Sequence, residues 1–346
     1  NLGLVERLLP LGVCSKETVW SNARGEIVHK EPTGHFAGER WPQLSISRSV
    51  LQQTLLRAVI DRSGAERVLT GWKCVDVSNG ADRAYADFVE TRSQRPLPRQ
   101  EGAVVVGCDG QHSAVRQRLF PGDRGARRSG IDMWRGTSNV PAILTGESII
   151  RIGLPEEGKL VAYPISRDEN GLQTINWVAE ISDHNAVSGA TDPAAAFSSW
   201  NFGWIDVPGL LRKAERPVFS RLCDTDPLPF WSQGHITLLG DAAHSMLPFG
   251  SNGAGQAMLD AAALARCLAQ ETDPVTALLD YERIRLPNTV ALQAAEREGG
   301  VDRALRSFQN WSWNDYCGDS TVDRINNTFG ALLKSYRGVG GKILMS

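Results

Sequence analysis

The stretch from His235 to Gln256 constrains this chain more than any other. It reads His-Ile-Thr-Leu-Leu-Gly-Asp-Ala-Ala-His-Ser-Met-Leu-Pro-Phe-Gly-Ser-Asn-Gly-Ala-Gly-Gln. Ile236 to Leu239 is a brief apolar run bounded by turn formers, which predicts a buried strand. Asp241 then falls at the strand's carboxyl end, where open α/β sheets place their ligands. Pro248, Gly250, Asn252, Gly253 and Gly255 predict a loop. From Ala254 to about Ala269 the pattern turns helical, with Met258, Ala261, Ala262, Ala265 and Leu268 on one face. A strand, an acid, a glycine loop and a helix N-terminus offer bare backbone N–H groups and a positive dipole end to an electron-rich group.

The acid narrows the choice of ligand. A P-loop needs a Lys and a Ser or Thr at set spacing, and this loop has neither the Lys nor the spacing. Asp241 would repel a phosphate, whereas it would accept hydrogen bonds from sugar-alcohol hydroxyls. A polyol beside a ring that gains negative charge describes the ribityl chain and isoalloxazine of a flavin. The helix end would stabilise charge developing at the flavin N1/C2 carbonyl. The same residues also read as a plain glycine turn between strand and helix, with Asp241 as a cap, and the residues alone leave both readings open.

Gly240-Asp241-Ala242-Ala243-His244, then Pro248 and Gly250-x-Asn252-Gly253, resembles the second FAD motif of the single-component aromatic hydroxylases. These are the para-hydroxybenzoate hydroxylase family, the group A flavoprotein monooxygenases. A second likeness lies upstream. Asp109-Gly110-x-x-Ser113-x-x-Arg116 is similar to the family's Asp-Gly motif, which contacts FAD and is linked to NAD(P)H use. From the residues alone, Asp109 at a strand's end could orient Arg48 or a ribose hydroxyl, or simply make an Asp-Gly turn, and Ser113 can cap a short helix ending near Leu119. Arg48 precedes a helix predicted from about Val50 to Asp61, with Leu51, Leu55, Leu56 and Val59 inward. The resemblance places Arg48 and Gln52 near the FAD pyrophosphate and flavin, while Ser49 and Gln52 also fit a capping box.

Composition excludes several classes. The chain has 346 residues, with 37 Lys+Arg against 39 Asp+Glu, so charge makes no case for nucleic acid or an anionic membrane. Cys14, Cys74, Cys108, Cys223, Cys267 and Cys317 are scattered without metal-ligand spacing, and read as reduced packing cysteines of a cytosolic protein. No apolar run approaches a membrane span.

The elements divide the chain. Short strands are expected at 18–20, 26–28 and 44–46, a hairpin at 68–77 and 85–89, a polar loop at 92–101, and a fully buried strand at 103–107. Strand candidates at 131–136, 148–152, 159–165 and 174–180 follow one another without helices, which predicts an antiparallel sheet. Trp134-Arg135-Gly136, the run from Leu160 to Ser166, Asn176-Trp177-Val178 and Asp226 to Pro229 look most like the phenazine-hydroxylating flavin monooxygenases. The expected fold class is α/β with an α+β second domain. Residues 1–126 and 218–300 would form a Rossmann-like three-layer FAD/NAD(P)-binding domain, 127–217 an antiparallel-sheet substrate domain, and 301–346 a helical tail with Trp311, Trp313, Tyr316 and a frayed glycine-rich end. A long helix is expected over 274–298, interrupted at Pro287; Tyr281, Glu282 and Arg285 resemble a family segment that packs over the FAD domain, or else a solvated face. No G-x-G-x-x-G follows a strand. The expectation is therefore an N-terminally truncated domain, short of a strand–helix–strand of roughly 30 residues, that holds FAD poorly.

The resemblance implies NAD(P)H reduction of FAD, capture of O2 as a flavin C4a-hydroperoxide, and hydroxylation of a phenazine-like or salicylate-like aromatic. It implies cofactor contacts at Arg48, Gln52, Asp109, Gly110, Gly240, Asp241, Pro248, Gly250, Ser251, Asn252 and Gly253. Pro248 and Phe249 would lie along the flavin edge, with no protein nucleophile. His244 is a candidate acid or base, and Arg135, Tyr163 and Trp177 are substrate candidates, of which strand alternation turns only some inward. A non-hydroxylating flavoprotein of the same fold, or a non-catalytic copy without FAD, are the alternatives.

Overall fold

The computed structural model of the chain describes residues 2–183, 192–306 and 329–331. In chain order it contains α1 (Val5–Leu8), β1 (Val13–Cys14), β2 (Glu17–Ser21), β3 (Ile27–Pro32), β4 (Leu44–Ser45), α2 (Arg48–Ser63), β5 (Trp72–Asn79), β6 (Ala84–Glu90), β7 (Pro96–Gly102), β8 (Val105–Gly107) and α3 (Ala114–Leu119). There follow β9 (Ala126–Val140), β10 (Ser148–Leu154), β11 (Gly158–Arg167), β12 (Gln173–Ser182), α4 (Pro193–Ala196), α5 (Val207–Arg212), β13 (Val218–Thr225), β14 (Ser232–Gln233), β15 (Ile236–Leu238), α6 (Asp241–His244), α7 (Gly253–Gln270), α8 (Pro274–Arg297) and α9 (Asp302–Arg306). They form two compact units, and the chain passes between them near residues 68, 129, 222 and 301.

The first unit holds the described residues of 2–68, 130–222, 302–306 and 329–331. Its sheet runs β13-β9-β12-β11-β10-β2-β3. The expected consecutive strands are there, and β9, β12, β11 and β10 pair antiparallel in long registers. Against the expectation of an antiparallel sheet, β10 and β2 pair parallel, Ile150 opposite Val19. That pairing draws the early strands into this sheet, so residues 2–68, grouped with the FAD domain on sequence, cluster here by contact. One face of the sheet packs on α4 and α5 through Trp134, Ile150, Leu160, Ala162, Ile175, Trp177, Phe197 and Leu210.

The second unit is built on two small sheets, β14-β15-β8 and β5-β6-β7, with α7 and α8. β15 pairs parallel to β8, Thr237 opposite Val106. Its core joins Val77, Val115, Trp231, Ile236, Leu238, Leu264 and Tyr281. Residues 96–102, expected as loop, add a third strand to the hairpin, because Leu97 pairs with Phe88 despite the polar surroundings. Val104 to Val106 are only half-buried rather than fully enclosed.

Three helices depart from expectation in the face they bury. On α2 the buried positions are Thr54 and Ala58, while Leu56 and Val59 are exposed. Ser47 rather than Ser49 precedes its first turn, so the Ser49–Gln52 capping box does not form. On α7 the inward residues are Gln256, Asp260, Ala263, Leu264 and Cys267, and Met258 is 54% exposed. α8 runs unbroken through Pro287 and buries Arg285 and Glu296. Trp311, Trp313, Tyr316 and the terminal glycines lie outside the described residues.

Candidate active site

In the second unit β15 delivers the chain to Gly240, whose φ of +64° and ψ of −141° turn it sharply into α6. A left-handed φ here favours glycine, and a Cβ would also sit 3.1 Å from the Ala257 side chain. Asp241 follows, exposed, with no hydrogen-bond partner for its carboxylate among the described residues. It is therefore not a cap. A Cβ at Gly253 would lie 3.8 Å from Asp241 Oδ1, and nothing stands within 4 Å of one at Gly255. The start of α7 is thus an open surface beside a carboxylate that has room to accept.

The loop between α6 and α7 splits its residues. Pro248 and Ser251 are exposed, and Ser251 is held at φ +58°. Phe249 is 6% exposed, so its ring packs inward rather than along the surface that Pro248 occupies. Glu296 of α8 accepts hydrogen bonds from Gly250 N–H at 3.1 Å and from Asn252 Nδ2 at 3.0 Å.

Behind the acid lies a buried polar cluster that the sequence reading missed. Asp260 of α7 accepts from His244 Nε2 at 2.6 Å, Arg285 Nε at 2.7 Å and Gly240 N–H at 3.2 Å. Arg285 also donates to Gln256 Oε1 at 2.6 Å. Burial pushes the Asp260 carboxyl up, and the hydrogen bonds and charges of His244 and Arg285 outweigh it, holding the group below the usual carboxylate range. His244 is buried against Trp231, ring centroids 5.3 Å apart. Its place is that of a brace for the Gly240 turn, away from any surface where it could exchange a proton with a ligand. Tyr281 donates to Leu238 O at 3.1 Å, and Glu282 accepts from Trp231 and Ser232 N–H. The charges of this segment are structural ties, not a solvated face. The resemblance marks Arg285 as part of a packing segment, but the step from Gln256 to Asp260 looks like an exposed polar stripe and gives no sign of their joining it.

The Asp-Gly motif is also committed locally. Ser113 caps α3 by accepting from Arg116 N–H at 2.9 Å, as its spacing predicts. Asp109 accepts from Ser113 Oγ at 2.5 Å and from Ala114 N–H at 2.7 Å. Gly110 has φ +77° with open space where a Cβ would be. Arg116 is buried and donates to Asp123, Thr225 Oγ1 and the carbonyls of Ala243 and Asp226. Arg116 therefore ties the Asp109 turn to the end of α6.

In the first unit, register sorts the substrate candidates. Arg135 pairs with Val178, and Tyr163 with Asn176, which pairs with Thr137. These share the sheet face opposite the α4/α5 core. Trp177, one residue over, is fully buried in that core and donates to Ser138 Oγ at 2.9 Å, beneath Gly136. Arg135 is exposed and Tyr163 half-buried. Burial pushes the Tyr163 hydroxyl up while Arg48 and Arg151 pull against it, which sets both guanidinium groups within electrostatic reach of it. Arg48 opens α2 and Gln52, four residues on, is exposed on the next turn. One end of this face is closed by Lys159, which bridges Glu180 at 3.1 Å and Asp302 of α9 at 2.7 Å. A cavity of about 470 Å³ at the other end is lined by Thr137, Asn139, Thr174, Lys213, Glu215 and Arg216; no aromatic or aliphatic wall suits it to a flat ring.

Residues 2–296 match the family model described as FAD binding domain. This chain belongs to the FAD-dependent aromatic hydroxylases. Over 309 residues it is 38% identical to the phenazine 1,6-dicarboxylic acid hydroxylase PhzS of Lysobacter antibioticus, covering 86% of this chain and 76% of that one. It is 34% identical over 255 residues to 3-hydroxybenzoate 6-hydroxylase 1 of Aquipseudomonas alcaligenes, covering 70% of this chain and 60% of the relative. Among solved structures, HpxO of Klebsiella pneumoniae, complexed with FAD and uric acid, superposes with a TM-score of 0.74 at 21% identity, over 99% of this chain and 83% of that one. That likeness establishes the fold. The enzyme is thus an FAD-dependent monooxygenase, and the open carboxylate, the glycine loop and the uncovered helix start fit a cofactor that carries both hydroxyls and an acceptor ring.

Proposed function

We propose that the enzyme uses NAD(P)H and O2 to hydroxylate an aromatic carboxylate, with Asp241 and the 248–253 loop holding FAD. The observation that carries the FAD assignment is the unpaired Asp241 carboxylate beside the open start of α7. Asp241 would accept hydrogen bonds from the cofactor's sugar-alcohol hydroxyls, and the N–H groups of Gly253, Ala254 and Gly255, which begin the helix without intrahelical acceptors, would be available to its electron-rich ring. The bound flavin supplies hydride acceptance from NAD(P)H and transfer of one atom of O2 to the substrate.

The chain's own residues do the rest. The second unit is the FAD-binding domain in this reading, and the first unit carries the substrate on its open sheet face. Arg135 pairs with the substrate carboxylate in a charge-assisted, bidentate geometry, and the Tyr163 hydroxyl donates to it or to a ring substituent. Arg48 adds positive charge within electrostatic reach of Tyr163. The relatives support the carboxylate: the names of two of them specify a phenazine dicarboxylic acid and a hydroxybenzoate. Trp177 shapes this face from behind and touches no ligand.

The test is a set of turnovers with FAD, NAD(P)H and a panel of phenazine carboxylates and hydroxybenzoates, followed by mass spectrometry under labelled dioxygen. A product gaining one labelled oxygen is expected. Arg135→Ala should raise KM for the carboxylate about tenfold or more with a smaller effect on a matched amide, since a charge-assisted hydrogen bond contributes ~1.5–3 kcal/mol. NAD(P)H oxidation that yields only hydrogen peroxide with every aromatic tried would sink the hydroxylase reading.

A further inference from the structure

Glu296 is fully buried near the end of α8, far in sequence from the loop it touches. Both its oxygens lie 3.1 Å from Gly250 N, and Oε1 accepts from Asn252 Nδ2 at 3.0 Å. Behind it the chain passes through Gly300 at φ +52°, where a Cβ would stand 2.7 Å from Glu296 Oε2 and 3.0 Å from Phe249 Cβ. The carboxylate is thus wedged between the loop and the turn that leaves α8. Between its two tethers sits Ser251, held in the left-handed region at φ +58° with its N–H on Pro248 O. For a residue with a Cβ that conformation is unfavourable and persists only where neighbours impose it.

We propose that Glu296 is the positioning residue of the flavin loop: it draws Gly250 N–H and the Asn252 amide inward, which leaves the start of α7 facing outward to receive FAD. The inference rests on the reading of the 248–253 loop as FAD-facing. A carboxylate is required because both loop groups are donors, and it has acceptors alone. A glutamine of the same shape must turn its NH2 toward one of them.

The test uses the full chain. Amide hydrogen exchange of residues 248–255 is measured without FAD, and FAD affinity by quenching of flavin fluorescence. Glu296→Gln should exchange Gly250 and Ser251 about tenfold faster and bind FAD about tenfold more weakly, with a melting temperature near that of the parent. The double variant Glu296→Gln with Asn252→Asp reverses donor and acceptor across the same contact and should restore the slow exchange of Gly250 and Ser251. Unchanged exchange in Glu296→Gln, or a double variant no better than the single one, overturns the role of Glu296. Faster exchange with unchanged FAD affinity overturns the loop's assignment to FAD instead, and with it the proposal.

Discussion

Asp241 is the residue at which the chemistry of the cofactor and the local fold part company. A carboxylate at the first position of a short helix ordinarily serves the helix, yet this one has no partner among the described residues and stays exposed. Asp241→Ala should therefore leave the melting temperature of the FAD-free chain almost unchanged and weaken FAD about ten- to a hundredfold, as the loss of a hydrogen-bond acceptor costs ~1–3 kcal/mol. Titration by flavin fluorescence checks it, and an unaltered affinity would remove Asp241 from the site. This residue was legible in the sequence because glycine and proline punctuation set it at a strand's end. Asp260 and Glu296 were not, because a carboxylate on a helix looks the same whether it faces water or is enclosed. Trp177 was half legible: alternation showed that it and Asn176 face opposite ways, but only the pairing register shows which side is the core.

At the scale of elements, α7 and α8 carry a buried ionic cluster beside the apolar core of Leu264, Cys267, Leu278 and Tyr281. Apolar periodicity nominated Met258, Ala261, Ala262, Ala265 and Leu268 as the inward face, while the helix turns Gln256 and Asp260 inward to meet Arg285 and His244. The same buried face continues through Ala263, Leu264 and Cys267, so the ionic cluster sits at the amino end of an apolar stripe that includes none of the exposed alanines. Removing one partner of such a buried set leaves the others uncompensated, at a cost of about 3–5 kcal/mol. Asp260→Asn should destabilise the chain by roughly that amount in urea at pH 7. The folded carboxyl titrates below its unfolded value near 3.9, so its contribution is full above that pH and fades as pH falls through the folded value. The gap between parent and Asp260→Asn should accordingly narrow in unfolding experiments below about pH 4. A gap that is constant with pH would show that the carboxylate's charge is not what holds the two helices.

On the scale of the whole molecule, the two units have separate hydrophobic cores, one behind the seven-stranded sheet and one under α7 and α8. Ligand and core should therefore be separable by choice of residue. FAD that binds only the folded chain raises stability by about 2.7 kcal/mol at a hundred times its dissociation constant. Trp177→Phe deletes the hydrogen bond to Ser138 Oγ inside the first core, which costs about 0.5–1.5 kcal/mol, since that hydroxyl keeps its bond to Leu210 O. It should lower the melting temperature and leave the rise produced by FAD intact. KM for the aromatic should also hold, since the ring lies on the core side of the sheet. Asp241→Ala should do the reverse, keeping the melting temperature of the free chain while losing about half or more of the rise at the same FAD concentration. Differential scanning calorimetry with and without FAD reads both quantities. A Trp177→Phe chain that melts as the parent but shows a raised KM would put Trp177 against the substrate and require the sheet to present its other face to the ligand.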